Sequence, residues 1–170
     1  VQDRIRTAVS ELGVHYRNSP IIRDDAIAGL SGMVAGWLHA APRAGDRAPD
    51  GMVSRVADRS PVRLFELTPG TRHVLLILTG SRLGREDARR RAEPLAAVVS
   101  FADLIDAHVV APGPAAPPDA TLLDPDGSLH RAYGADDETL VLIRPDGYVG
   151  YRSRPADAPR LRDYLRRIFI

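Results

Sequence analysis

LVLIRPDGYVGYRS, Leu140 to Ser153, decides how this chain folds. Two runs rich in β-branched and aromatic residues flank Arg144-Pro145-Asp146-Gly147. Proline presets φ at the first turn position, aspartate tolerates the second, and glycine supplies the positive φ of a bulged hairpin. The stretch therefore predicts an antiparallel hairpin. Each turn residue has a geometric task, so the turn reads as scaffold in preference to a ligand site. Period-2 alternation puts Tyr148 and Tyr151 on opposite faces, one in the core and the other at the surface or an interface.

Upstream, HVLLILT (His73–Thr79) is a continuous apolar run, the signature of a strand buried on both faces of a sheet. Val62–Leu67 and Asp106–Ala111 read as further strands. Arg85–Val99 reads as a helix with Ala88, Ala92, Leu95, Ala96 and Val99 on its apolar side. Pro94 removes a backbone hydrogen bond there and predicts a kink or a split. APGPAAPPDA, residues 111–120, is a proline-rich surface connection. Ser128–Tyr133 reads as a short helix closed by Gly134. Asp157–Ile168 reads as a final helix, capped by Asp157, with Pro159 in its first turn and Leu161, Tyr164, Leu165 and Ile168 on one face.

From residue 62 the order is strand, strand, helix, strand, short helix, strand, strand, helix. A strand–helix–strand crossover implies a parallel pair, and the hairpin adds antiparallel strands. The predicted class is α/β, a thioredoxin-like domain with a central mixed sheet flanked by helices. Ahead of it, Ile5, Ala8, Val9 and Leu12 recur at helical spacing before Gly13. VHYR and SPII read as short extended pieces. Residues 25–41 read as helix or compact loop. Ile27, Leu30, Val34, Trp37 and Leu38 share a face, but Gly29, Gly32 and Gly36 each cost about 1 kcal/mol relative to alanine in a helix. PRAGDRAPDG (Pro42–Gly51) marks the boundary between an N-terminal helical extension or linker, 1–41, and the domain, 42–170.

A length of 170 residues suits one domain. The chain has no cysteine, which removes disulfides, thiolate metal sites and dithiol chemistry. The place where a redox thioredoxin carries its cysteines reads TGSRLGRED (Thr79–Asp87) and lacks the CxxC. Ser81 there has no GxSxG elbow around it and reads as a turn residue. His15, His39, His73, His108 and His130 show no metal-binding spacing and read as structural or surface groups. All 23 basic residues are arginine and 22 acidic residues balance them, so no nucleic-acid partner is expected. Arg85, Arg89, Arg90 and Arg91 read as one solvated, ion-paired helix face, and Arg160, Arg162, Arg166 and Arg167 as another. GLSGMVAG lacks the spacing of a dinucleotide loop. No apolar run reaches the roughly 20 residues of a membrane span. The start is not a signal peptide, so a cytoplasmic protein is expected.

Two motifs carry a family resemblance. Gly45-Asp46-Arg47-Ala48-Pro49-Asp50 and Arg144-Pro145-Asp146-Gly147-Tyr148-Val149 stand in order around PVRLFELT, HVLLILTG and DPDGSLHRAYGA. Together they resemble the C-terminal domain of FAD-dependent aromatic hydroxylases, the phenol- and polyketide-hydroxylase-like class A flavin monooxygenases. VHYRNSP (Val14–Pro20) resembles the segment that precedes that domain. The resemblance covers residues 14–168. It implies a thioredoxin-like tail without a redox centre, and a structural role for both motifs. It also implies FAD and NAD(P)H for the full-length enzyme. The family's own flavin motifs are not in this chain, so catalytic, cofactor and metal residues are expected to be none here. The implied partners are the FAD and substrate domains of a parent enzyme, with a homodimer as a further one.

The start at Val1 favours a tail excised from a longer enzyme, whose lost interface would show as an exposed apolar patch supplied in part by the N-terminal helix and residues 25–41. The alternative is a stand-alone, non-redox protein-interaction module. A third reading, a small-molecule enzyme, needs ionisable side chains that converge in a pocket.

Overall fold

A computed structural model describes residues 15–26, 41–68, 70–80 and 87–169, the side chains of 87–90 excepted. Among the described residues eight strands form one sheet: β1 (Arg23–Ala26), β2 (Met52–Arg55), β3 (Pro61–Arg63), β4 (His73–Leu78), β5 (Ile105–Pro112), β6 (Leu122–Asp124), β7 (Thr139–Ile143) and β8 (Val149–Arg154). Their order across the sheet is β1-β8-β7-β4-β5-β6-β2-β3. β4 lies parallel to β5 and antiparallel to β7. Helix α1 (Asp87–Val98) makes the β4-to-β5 crossover, α2 (Ser128–Tyr133) precedes β7, and α3 (Ala158–Phe169) closes the chain. The expected mixed sheet with flanking helices is the one observed.

Alternation along the central strands splits the core by face. Val74, Leu76 and Leu78 of β4 join Val141, Ile143, Leu129 and Tyr133 on one side. Leu75 and Ile77 join Leu140, Leu142, Tyr151, Leu161, Tyr164 and Leu165 on the other, under α1 and α3. All the β4 residues after His73 are buried, which is why that strand reads as an unbroken apolar run.

The last helix matches its expected pattern. Leu161, Tyr164 and Leu165 are buried, and Asp157 caps the first turn by accepting from the Arg160 N–H at 2.9 Å. α2 also has its expected bounds and ends on Gly134 at φ 61°. The face of α1 differs from the expected one. Ala92 and Ala96 are exposed and Val99 is 69% exposed. Arg91, Pro94, Ala97 and Val98 face inward instead, with Leu95 half-buried. Alanine is too weakly apolar to fix a helix's rotation, and the larger groups decide it. Pro94 lies within an unbroken helix, so no split occurs.

Arg91 corrects the reading of its arginine run as a solvated face. It is 3% exposed and bonds Asp119 through Nε at 2.6 Å and Nη2 at 3.0 Å. That pair pins the proline-rich connection to α1.

The predicted strand Val62–Leu67 is a three-residue strand followed by a 3-10 turn, Leu64–Leu67. Asp50 Oδ1 accepts from the Phe65 N–H and Glu66 Oε2 from the Arg63 N–H, which gives the backbone local partners in place of a ladder. Tyr16–Ile22 forms consecutive turns, not extended pieces. Asp25 and Ala26 end β1, which pairs in parallel with β8, so the sheet begins ahead of Pro42. The predicted helix at 2–12, residues 27–40 and Ser81 lie outside the described residues.

Candidate functional site

The two six-residue motifs, almost 100 positions apart in sequence, are brought together edge to edge. Arg47 and Tyr148 form an antiparallel bridge. The Gly45 N–H donates to Val149 O at 2.7 Å, the Ala48 N–H to Gly147 O at 2.9 Å, and the Val149 N–H to Asp46 O at 2.9 Å. The turn itself forms as the sequence predicts. The Gly147 N–H donates to Arg144 O, the Arg144 N–H to Tyr148 O, and Gly147 sits at φ 80°. One extra residue then interrupts the ladder, because Ile143 faces Val149 while Leu142 faces Tyr151. Gly150 is that extra residue. A side chain on it would start 2.8 Å from the Tyr164 hydroxyl.

Each motif side chain has a local occupation. Asp46 accepts from Arg17 Nε at 2.6 Å and Nη2 at 2.9 Å, and from the Arg43 N–H at 2.9 Å. Burial alone would raise the Asp46 carboxyl, but those bonds win and hold it below the ordinary carboxylate range. The Arg47 guanidinium lies 5.8 Å from the Phe65 ring centre and 5.9 Å from that of Tyr148. Ala48 is buried, and Pro49 O accepts from the Tyr133 hydroxyl at 2.8 Å. Asp50 pairs with Arg63 at 2.9 Å. Arg144 pairs with Asp146 across the turn, and Pro145 is exposed. Tyr148 is 5% exposed, with Tyr16 packed edge-on at 4.9 Å. Tyr151 is fully buried, so neither tyrosine is at the surface. The lead-in segment covers Tyr148, and strand alternation could not anticipate that.

Beside the turn lies a groove of about 340 Å³ lined by Ile21, His73, Arg144, Tyr164, Ile168 and Phe169. The His73 ring meets Phe169 edge-on at 5.0 Å. Burial, helped by the Arg144 charge, lowers the His73 pKa and keeps the ring neutral. Burial pushes the Tyr164 hydroxyl up to about 12, and it donates to Ile21 O at 2.7 Å.

At the far end of β4, Thr79 is buried and Gly80 takes φ 76° with Asp137 backbone 2.8 Å from where a side chain would start. A buried pair that the sequence reading passed over joins β6 to α2. Asp124 Oδ2 accepts from His130 Nδ1 at 2.7 Å and from the His130 N–H at 2.8 Å. It anchors the start of the helix. His15 is exposed, and His73 and His108 are half-buried. Among the described residues no three metal-ligating side chains cluster, and no helix is long and apolar enough to cross a membrane.

The family model "Aromatic-ring hydroxylase, C-terminal" matches residues 41–169. The chain is 31% identical to a 4-methyl-5-nitrocatechol 5-monooxygenase from Burkholderia sp., over 93% of its own length and 27% of that relative. It thus spans about a quarter of the curated relative. Among solved structures it resembles an aklavinone-11 hydroxylase described with FAD and aklavinone, at 26% identity and TM-score 0.52, over 75% of this chain and 22% of that one. It also resembles the thioredoxin domain of a thiol-disulfide oxidoreductase from Bacteroides vulgatus. There the identity is 14% and the TM-score 0.57, over 74% of this chain and 97% of that one. The second likeness shows the shared thioredoxin-like fold alone.

Proposed function

We propose, for a chain that belongs to the aromatic-ring hydroxylase C-terminal domain family, a structural and interface role within an FAD-dependent aromatic-ring monooxygenase. The observation that carries this reading is the use of the two motifs. Their backbone groups bind each other and, through Pro49 O, the Tyr133 hydroxyl, and their side chains bind Arg17, Arg63 and Phe65. Motif residues occupied in this way organise a scaffold.

The described residues do not fit FAD. The N–H groups of Gly45 and Ala48 are already spent on the hairpin and are not free to cradle a pyrophosphate. The groove beside the turn is bounded mainly by aliphatic and aromatic groups, and its one arginine, Arg144, is paired with Asp146, which also lines it. In this reading FAD and NAD(P)H bind to other domains of a longer cytoplasmic protein, and this domain packs against them. Tyr16, Ile21, Met52, Val99 and Leu104 are its exposed large apolar side chains among the described residues, and they supply candidate contact points.

Flavin titration of this chain, followed by absorbance and by thermal unfolding, tests the reading. The expected result is an unchanged flavin spectrum and an unchanged, cooperative unfolding transition. A saturable spectral shift would overturn the assignment of the cofactor to other domains.

A further inference from the structure

We propose that the groove beside the hairpin turn, with Arg167 of α3 at its border, docks an acidic amphipathic segment from the part of the parent enzyme that precedes this domain. This inference rests on the reading of the chain as one domain of a longer monooxygenase. Ile21, Tyr164, Ile168 and Phe169 give the groove apolar walls. Ile21 is 43% exposed, and Ile168 and Phe169 are half-buried, so the concavity is formed and open to solvent. At about 340 Å³ it lies at the low end of the roughly 300–1,000 Å³ of small-ligand sites, and it suits an apolar side chain better than a large cofactor. The ion pair at its rim, Arg144 with Asp146, is complete in itself.

Charge sets the chemistry of the occupant. The exposed face of α3 carries Arg160, Arg162, Arg166 and Arg167 against Asp163. Among the described residues Arg160 pairs with Asp157 and Asp25, while Arg162, Arg166 and Arg167 join no ion pair. The expected ion pairing of this helix face therefore holds for Arg160 alone. Arg167 borders the groove, with its guanidinium 5.6 Å from the ring centre of Tyr164. A cation without a carboxylate beside an apolar slot fits an apolar side chain flanked by acidic ones. The route of the chain sets the source. Ile21 is part of the groove wall, and the Tyr16 ring centre lies 6.0 Å from the Arg144 guanidinium at the rim. The polypeptide ahead of His15 thus sets out from this rim, and a domain tethered there meets the groove at high effective concentration. The chain spans about a quarter of its curated relative, so a parent of that length has ample surface to offer.

Photo-crosslinking in the full-length enzyme, with p-benzoylphenylalanine in place of Pro145, tests this. Pro145 lines the groove and is exposed, so the probe reports on the occupant and leaves the apolar walls intact. The expected product is a crosslink within one chain, to a segment ahead of residue 15 whose apolar residues are flanked by aspartate or glutamate, as mapped by peptide mass spectrometry. Arg167→Glu should cut its yield by about tenfold, because repulsion replaces attraction. Arg55→Glu, the same charge change on exposed β2 at the other end of the sheet, should leave the yield unchanged. A crosslink to a second copy, a crosslink to a segment without carboxylates, or a yield indifferent to Arg167→Glu would overturn the proposal. So would the absence of any crosslink in a folded, flavin-loaded enzyme. None of these results alters the flavin titration of the separate chain, so the groove and the domain assignment fail independently.

Discussion

Arg91 and Asp119 join α1 to the proline-rich connection through two parallel hydrogen bonds, with the arginine buried and the aspartate a quarter exposed. The bond from Arg91 lowers the Asp119 pKa below its usual 3.8. A carboxylate lowered on folding stabilises above its unfolded pKa, and that stability is lost as pH falls through the folded value. Asp119→Ala should cost about 2 kcal/mol, between an exposed and a buried pair, because it removes two charge-assisted hydrogen bonds from a buried guanidinium. Urea unfolding at pH 7 measures the loss. The gap between variant and parent should close at low pH, and a gap that stays constant would show that the pair's charge does not matter.

His73 and His108 give pH dependence in a different window. Burial is the main cause lowering both pKa values. Above the usual value of 6.5 both states are neutral at these rings, so the folded state loses nothing. As pH falls below 6.5 the unfolded chain takes up protons that the fold resists, and stability declines until the folded pKa values are passed. Urea midpoints should therefore drop between pH 7.5 and pH 5.5. The double variant His73→Gln, His108→Gln should flatten that slope, and an unchanged slope would point to other groups.

Two glycines of the paired motifs should differ sharply. Gly147 has positive φ but open space where a side chain would go, so Gly147→Ala should cost about 1 kcal/mol from backbone conformation alone. Gly45, at φ 93°, has the Arg17 backbone nitrogen 2.5 Å from that position. Gly45→Ala must also push the chain at 16–17 away, so its loss in denaturant unfolding should be clearly larger. Equal costs would show that the close approach is easily relieved.

Tyr164→Phe removes the hydroxyl that ties α3 to Ile21 O across 143 positions of sequence. The expected loss is about 1 kcal/mol. Hydrogen exchange should show that loss as faster opening at residues 15–26, with α3 itself little changed. Uniform acceleration over the whole domain would mean that the contact is global in effect.

Strong local signals made much of the fold legible. HVLLILT, RPDG and the Leu161–Tyr164–Leu165 stripe each gave an element of the right type in nearly the right place. What escaped was decided elsewhere in the molecule. β1 reads RDDA, with no alternation, and is a strand because β8 offers it a ladder. Arg91 looks like its neighbours in sequence until Asp119 is seen beside it. Tyr148 is buried by Tyr16, which no spacing could announce. The two motifs are far apart in sequence, and nothing in either one announces that they pair with each other.

The two outermost strands of the sheet also bear on how the domain behaves in isolation. β3 is three residues long and opens on Pro61, which has no N–H to offer a neighbour. β1 is four residues long and carries Arg23, Asp24 and Asp25. Both rims are short and either proline-tipped or charged, so another sheet has little to zip onto. Concentrated solutions of the separate domain should therefore resist fibre formation. Any self-association would then involve side-chain surfaces, with the backbone edges left out.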